Sequence, residues 1–170
     1  MSVTVQTTYQ QYFEQAKAGL IADIRTAVLE SFAAENELNF GMATVAGTDP
    51  AKQVKKPSAA SQVFRGITVA AWTMEQKLTG APASTADSIG KFVQYDMVPV
   101  LRRGLIWVKV VQDVVIDDAA YFVHTEAVNP EYIGYFRKDV DGGNADAVPT
   151  GVFRSSALAG ALALLEVNIP

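Results

Sequence analysis

The hydrophobic positions of this chain change period once. In YQQYFEQAKA, Tyr9, Tyr12, Phe13 and Ala16 recur at intervals of three and four. Thr8 stands where a cap belongs and Gly19 ends the run, so the spacing predicts a short helix over Tyr9 to Ala18. The next stretch, LIADIRTAVLESFAAEN, supports two readings. Leu20, Ile24, Val28 and Phe32 keep helical spacing and would carry the helix on to about Glu30. Alternatively, a loop leads into a strand near Val28 to Ala33, with Val28, Glu30 and Phe32 on one side.

From Leu38 onward, short runs rich in Val, Ile, Phe and Tyr are separated by Gly, Pro, Asp and Asn, which is the pattern of β-structure. LNFGMATVAG is followed by the turn GTDP, and QVKKP reads as a short basic edge strand closed by Pro57. SQVFRGITVAAW alternates, whereas Leu78 to Gly90 is small, polar and broken by Pro82, a loop. KFVQYDMVPVL, LIWVKVVQDVVI, AAYFVHT, YIGYFRKD, GVFRSS and ALALLEVNIP complete the set. Turn signals recur about every ten residues, which favours a barrel or sandwich over βαβ units. The pattern therefore predicts a mainly β, antiparallel barrel or sandwich with a short N-terminal helix.

Within VLRRGLIWVKV, Val98, Val100 and Arg102 fall on one face of an incoming strand. Ile106, Val108 and Val110 form the apolar face of an outgoing one, with Leu105 and Trp107 opposite. Leu101 to Gly104 is expected to be the tight turn between them, Gly104 supplying a positive φ and Arg102 and Arg103 standing at the tip. Pro99, lacking an N–H, marks the incoming strand as an edge or as locally unpaired.

Composition excludes several function classes. Of 170 residues, 49% are hydrophobic and 19% charged, so the chain is built to bury one substantial core rather than to stay disordered. A net charge of −4 lacks the basic field behind non-specific nucleic-acid affinity. There is no cysteine, which excludes disulfides, thiolate nucleophiles and Cys-ligated zinc. MSVTVQTTYQ has no signal-peptide pattern, and no run approaches the roughly 18 apolar residues of a membrane span. Synthesis in a cytoplasm is the expectation.

Candidate chemistry is sparse. His124, the single histidine, follows Phe122 in a strand pattern and reads as a half-buried or rim residue rather than a base. Neither a G-x-S-x-G elbow nor a Walker loop occurs. Asp139, Asp141, Asn144 and Asp146 crowd around two glycines in KDVDGGNAD, an oxygen-rich loop of the kind that holds calcium. Its register fails the calcium-hand pattern, because Gly143 takes a ligand position and Thr150 stands where the bidentate Glu belongs. An exposed turn is the alternative. Asp113, Asp117 and Asp118 read as a polar bend. Lysines gather at Lys52, Lys55 and Lys56, and arginines at Arg102 and Arg103. Trp107 would lie on the face of Arg103 but about 13 Å away, too far for an aromatic-and-basic nucleic-acid platform.

FGMATVAGTDPAKQVKKP, VFRGITV, YDMVPVLRRGLIWVKV, DAAYF and the close GVFRSSALAGALALLEVNIP, in this order, resemble the structural cement or head decoration proteins of tailed bacteriophages. YFEQAKAGLIAD followed by SFAAENELNFG falls where that family has comparable segments. The resemblance implies a non-enzymatic virion protein on the outer capsid surface, made in the bacterial host cytoplasm. It would bridge subunits of the major capsid protein, commonly as a trimer, without cofactor, metal, membrane or direct nucleic-acid contact. It also implies a tulip-like β-body over residues 37–170 behind an N-terminal arm over 1–36, and an extended rather than helical VLESFAAE. On this basis the candidate interface residues are Tyr9, Tyr12, Phe13, Lys55, Lys56, Arg102, Arg103 and Trp107. A neck, tail or fibre-base protein is the alternative within the class. A small calcium- or carbohydrate-binding β-domain using the loop from Asp139 to Asp146 is the alternative outside it.

Overall fold

The computed structural model describes residues 16–71, 91–126 and 128–169. The predicted helix lies outside these residues except for Ala16 to Ala18, which run without helix into a turn at Gly19. The predicted loop at Leu78 to Gly90 also lies outside them. The described residues are mainly β. The strands are β1 (Ile21–Ala34), β2 (Leu38–Asn39), β3 (Ala43–Ala46), β4 (Gln53–Lys55), β5 (Phe64–Thr68) and β6 (Lys91–Phe92). They continue with β7 (Met97–Lys109), β8 (Ala119–Val123), β9 (Phe136–Arg137), β10 (Ala145–Phe153) and β11 (Leu162–Asn168).

The strand reading near Val28 to Ala33 holds, and where a loop was expected before it the strand already begins at Ile21. Helical spacing grouped Ile24, Val28 and Phe32, yet these do not share a buried face: Phe32 is 7% exposed and Ile24 79%. Pairing with β7 from Ile21↔Ile106 to Ala33↔Met97 satisfies the backbone instead.

The large sheet runs β1-β4-β3-β5-β7-β11-β10-β8-β9, and β7 also pairs with β1, so the first five strands return on themselves. A parallel bridge from Val110 to Phe136 brings β9 back to the end of β7. One ladder departs from the antiparallel expectation, since β4 joins β1 in parallel through Ala33↔Gln53 and Ala34↔Val54. That pairing also corrects the expected edge at QVKKP, because β4 bonds β3 on its other side.

The expected hairpin at Leu101 to Gly104 is not a turn. β7 passes straight through it, with β1 along one edge and β5 then β11 along the other. Opposite β1, Val28 pairs with Arg103 and Leu29 with Leu101, which leaves Arg102 as the extra residue of a bulge. The bulge shifts the alternation by one. Leu101 and Ile106, five apart, thereby both reach the larger core cluster. Gly104, at φ 132°, lets the backbone of Ala27 approach, since a Cβ there would lie 3.2 Å from the Ala27 Cα. Pro99 lies in this interior strand rather than at an edge, and of the two readings the locally unpaired position is the one that fits. Its carbonyl accepts the Val69 N–H at 2.9 Å just beyond the end of β5, so the missing donor falls where that ladder stops.

Two apolar clusters fill the body. The larger joins β3, β5, β7, β8, β9, β10 and β11, with Phe64 stacked on Phe122 at 5.3 Å. The smaller gathers Phe32, Leu38, Met42, Val54, Phe92 and Val98 under β1, with Phe40 edge-on to Phe92. β7 is buried on both sides where the two meet, Val100 facing the smaller cluster and Leu101 the larger.

Candidate interaction surface

β1 carries most of what is unusual on the surface. Ile24, Val28 and Leu29 are 79%, 47% and 44% exposed, and Leu20 and Met97 stand out beside them. The charges along the strand are already matched. Arg25 donates to both carboxylate oxygens of Asp23, Nη2 to Oδ2 at 2.8 Å, and this bonding holds the Asp23 carboxyl down at about 2. Arg102 reaches Glu30 across the β1–β7 ladder at 3.0 Å.

The two candidate arginines therefore separate. Arg102 is mostly covered and paired, whereas Arg103 is exposed. Arg65 donates to the Pro50 carbonyl, Arg137 to Asp139 and Arg154 to Glu166. Among the described residues Arg103 alone of the six arginines has no hydrogen bond or ion pair for its guanidinium. It lines two shallow cavities, of about 360 and 310 Å³, with Thr26 shared between them and Gly104 on the wall of the larger. Five steps along β1 from Asp23 to Val28 face two along β7 from Leu105 to Arg103, so Ile24 to Ala27 arch away beside these cavities.

The other candidates lie elsewhere. Trp107 is half-buried on β7 on the same outward set as Arg103, its carbonyl accepting the Gly19 N–H at 2.7 Å. Lys55 is half-buried on β4, opposite Val45. Lys56 donates from Nζ to the Pro130 carbonyl at 3.3 Å, and burial pushes its pKa down. It lines a third cavity with His124, Thr125 and Pro130. The structure thus brings Arg102, Arg103 and Trp107 onto one strand and leaves Lys55 and Lys56 apart from them. Tyr9, Tyr12 and Phe13 lie outside the described residues. The exposed apolar side chains of β1 were missed from sequence, because Val28 and Glu30 share the parity of buried Phe32 and nothing local marks where the strand leaves the core.

His124 is 3% exposed, not a rim residue. Its Nδ1 lies 2.8 Å from Thr125 Oγ1, and its buried Nε2 is 3.8 Å from Asp146 Oδ1 without a hydrogen-bond partner. Asp146 accepts the Ser61 N–H through Oδ2 at 2.6 Å, tying that loop to β10. The acidic loop is closed on itself. Arg137 bonds Asp139 and Asp141, and Gln112 donates to the remaining Asp139 oxygen at 3.1 Å. Burial works against the Asp139 charge, but these donors outweigh it and hold its pKa low. Among the described residues no three acidic or histidine side chains converge as a metal site. Asp113, Asp117 and Asp118 form the expected bend between β7 and β8.

The sequence model of the family described as Structural cement protein (E217 gp24/Pam3 gp6) matches residues 5–168. A chain from a solved structure, the capsid of Myoviridae phage XM1, shares the fold with a TM-score of 0.71. The two are 17% identical and each is covered over 98% of its length. No curated protein matches.

Proposed function

The chain belongs to the phage structural cement protein family and is a structural component associated with the virion, and from that premise we propose how it works. It sits on the outer capsid surface and ties together neighbouring subunits of the major capsid protein, as a trimer and without catalysis. Residues 1–36 serve as an arm whose last part, β1, lies along the body formed by 37–170, and the host cytoplasm is where it is made. Arg103 and Trp107 contribute to binding through β7, Lys55 and Lys56 through a second face, and Tyr9, Tyr12 and Phe13 through the arm. The observation that carries this reading is the extent of the family match, which takes in both arm and body.

Clamping needs area and complementarity rather than reactive groups. Burying one large apolar side chain contributes roughly 1.5–3 kcal/mol before ordering costs, so a few exposed residues per subunit, repeated over a lattice, stabilise a shell. The test compares phage heads with and without the protein. Heads assembled without it should rupture at a lower temperature and regain their heat resistance when purified protein is added back. Equal heat resistance of both preparations, with no uptake of added protein, would refute the reading.

A further inference from the structure

His124 is the single histidine of the chain, and at 3% exposed it lies buried just past the end of β8. Its Nδ1 is 2.8 Å from Thr125 Oγ1, while Nε2 has no hydrogen-bond partner and stands 3.8 Å from Asp146 Oδ1 on β10. A buried polar nitrogen left idle is costly, so what faces it matters. A lone pair on Nε2 would meet the lone pairs of a carboxylate. The ring hydrogen of the neutral form therefore belongs on Nε2, and the Thr125 hydroxyl donates to Nδ1. Asp146 is engaged through its other oxygen, where Oδ2 accepts the Ser61 N–H at 2.6 Å. Ser61 belongs to a loop closed by Gln62, whose Oε1 accepts the N–H groups of Ser58 and Ala59. One carboxylate thus ties that loop to β10 and also faces the idle ring nitrogen.

We propose that His124 is a pH-operated latch: on taking up a proton it closes onto Asp146 and fixes the loop from Ser58 to Gln62 against β10. The proton comes from solvent and lands on Nδ1, beside exposed Thr125, whose hydroxyl turns from donor to acceptor. Nε2–H, now on a cation, needs a shift of roughly 1 Å to make a charge-assisted bond to Oδ1. The other charged groups at this cavity are Lys56, beyond β4, and Glu126, beyond β8, and Glu37 and Glu131 act on Lys56. With Asp146, carboxylates outnumber the one ammonium, so an imidazolium here offsets the local charge rather than adding to it. Pro57 and Ser58 share the cavity wall with Lys56, and the closed latch stiffens that face.

Imidazole is the side chain that ordinarily changes charge between about pH 5 and 8, and a chain with one histidine gives one imidazole signal. Long-range nitrogen–carbon NMR on the full chain should place the neutral hydrogen on Nε2 and follow proton uptake as pH falls through that range. Over the same range the Ser61 amide, corrected for the intrinsic pH dependence of exchange, should gain protection on the order of tenfold as the contact becomes charge-assisted. His124→Gln keeps a donor toward Asp146 but cannot take up the proton, and there the gain should vanish. The two readouts on the unaltered chain stand whether or not that variant folds. A neutral hydrogen on Nδ1, or a ring that keeps one charge state throughout the range, would overturn the latch. So would Ser61 protection that stays flat or falls while the ring gains its proton, or the same gain in His124→Gln.

Discussion

At the scale of single residues, Arg102 and Arg103 show how little adjacency says about role. The bulge in β7 makes Arg102 the extra residue, close enough to Glu30 to pair at 3.0 Å, while Arg103 stays in register with Val28 and projects to solvent. Arg102→Ala should lower the unfolding free energy by about 0.5–1 kcal/mol, as expected for a partly exposed ion pair, and leave head binding unchanged. Urea titration followed by tryptophan fluorescence measures the first and sedimentation with heads the second. A large loss of binding in Arg102→Ala would return that residue to the interface. The residue types were legible in the sequence, but their division of labour was not, because it depends on a bulge defined by the partner strand.

Apart from β1 and β7 most elements in this fold are short, and single side chains hold several of them together. Thr68, at the end of β5, donates through Oγ1 to the Asn39 carbonyl at 2.6 Å and accepts the Met42 N–H at 2.8 Å. Thr68→Val keeps the shape and takes this acceptor from the buried Met42 N–H, at a cost of about 1–3 kcal/mol. A shift in the urea midpoint, with no change in slope, checks it. Gly66, at φ 144°, sits where β5 crosses β7, and an added Cβ would overlap the Leu101 carbonyl. Gly66→Ala should therefore destabilise by at least about 1–3 kcal/mol, visible as a lower melting temperature. Most strands from β3 to β11 were readable as alternating apolar runs between turn residues. β1 was ambiguous because Ile24, Val28 and Phe32 satisfy a helical interval, and only pairing with β7 resolves it. The missed hairpin has the same origin: Gly with positive φ serves a turn and a bulge alike.

At the scale of the whole molecule, the carboxylates among the described residues stand largely in matched positions, and this sets the response to acid. Asp23 is held at about 2 from an ordinary 3.8 by the hydrogen bond from Arg25. The Thr48 backbone N–H lowers Glu35, and Asp139 is lowered by Gln112 and Arg137. Each is depressed in the folded state, so each contributes stability in full above its unfolded value and loses it as pH falls through the folded one. The melting temperature should therefore be flat with respect to these groups well above pH 4.5, the ordinary value for Glu35, then fall, with the Asp23 contribution vanishing between 3.8 and about 2. Calorimetry across that range checks it. Asp23→Asn should flatten the acid limb, and an unaltered limb would show that the pair contributes nothing.

The sequence by itself determined the class of the molecule. Period-two apolar runs, punctuated by Gly, Pro, Asp and Asn, are local signals, since each strand must present one face to a core wherever that core lies. The family resemblance was also legible there, because it rests on the order of motifs along the chain. Tertiary structure alone decided the rest. It made β7 one strand shared by two clusters, buried His124, turned the acidic loop inward onto Arg137, and left the edge of β1 away from β7 without a partner strand over residues 21–32 among the described residues. Pairing partners, register and edge exposure are relations between segments distant in sequence, and no local pattern encodes which edge of a strand remains unbonded.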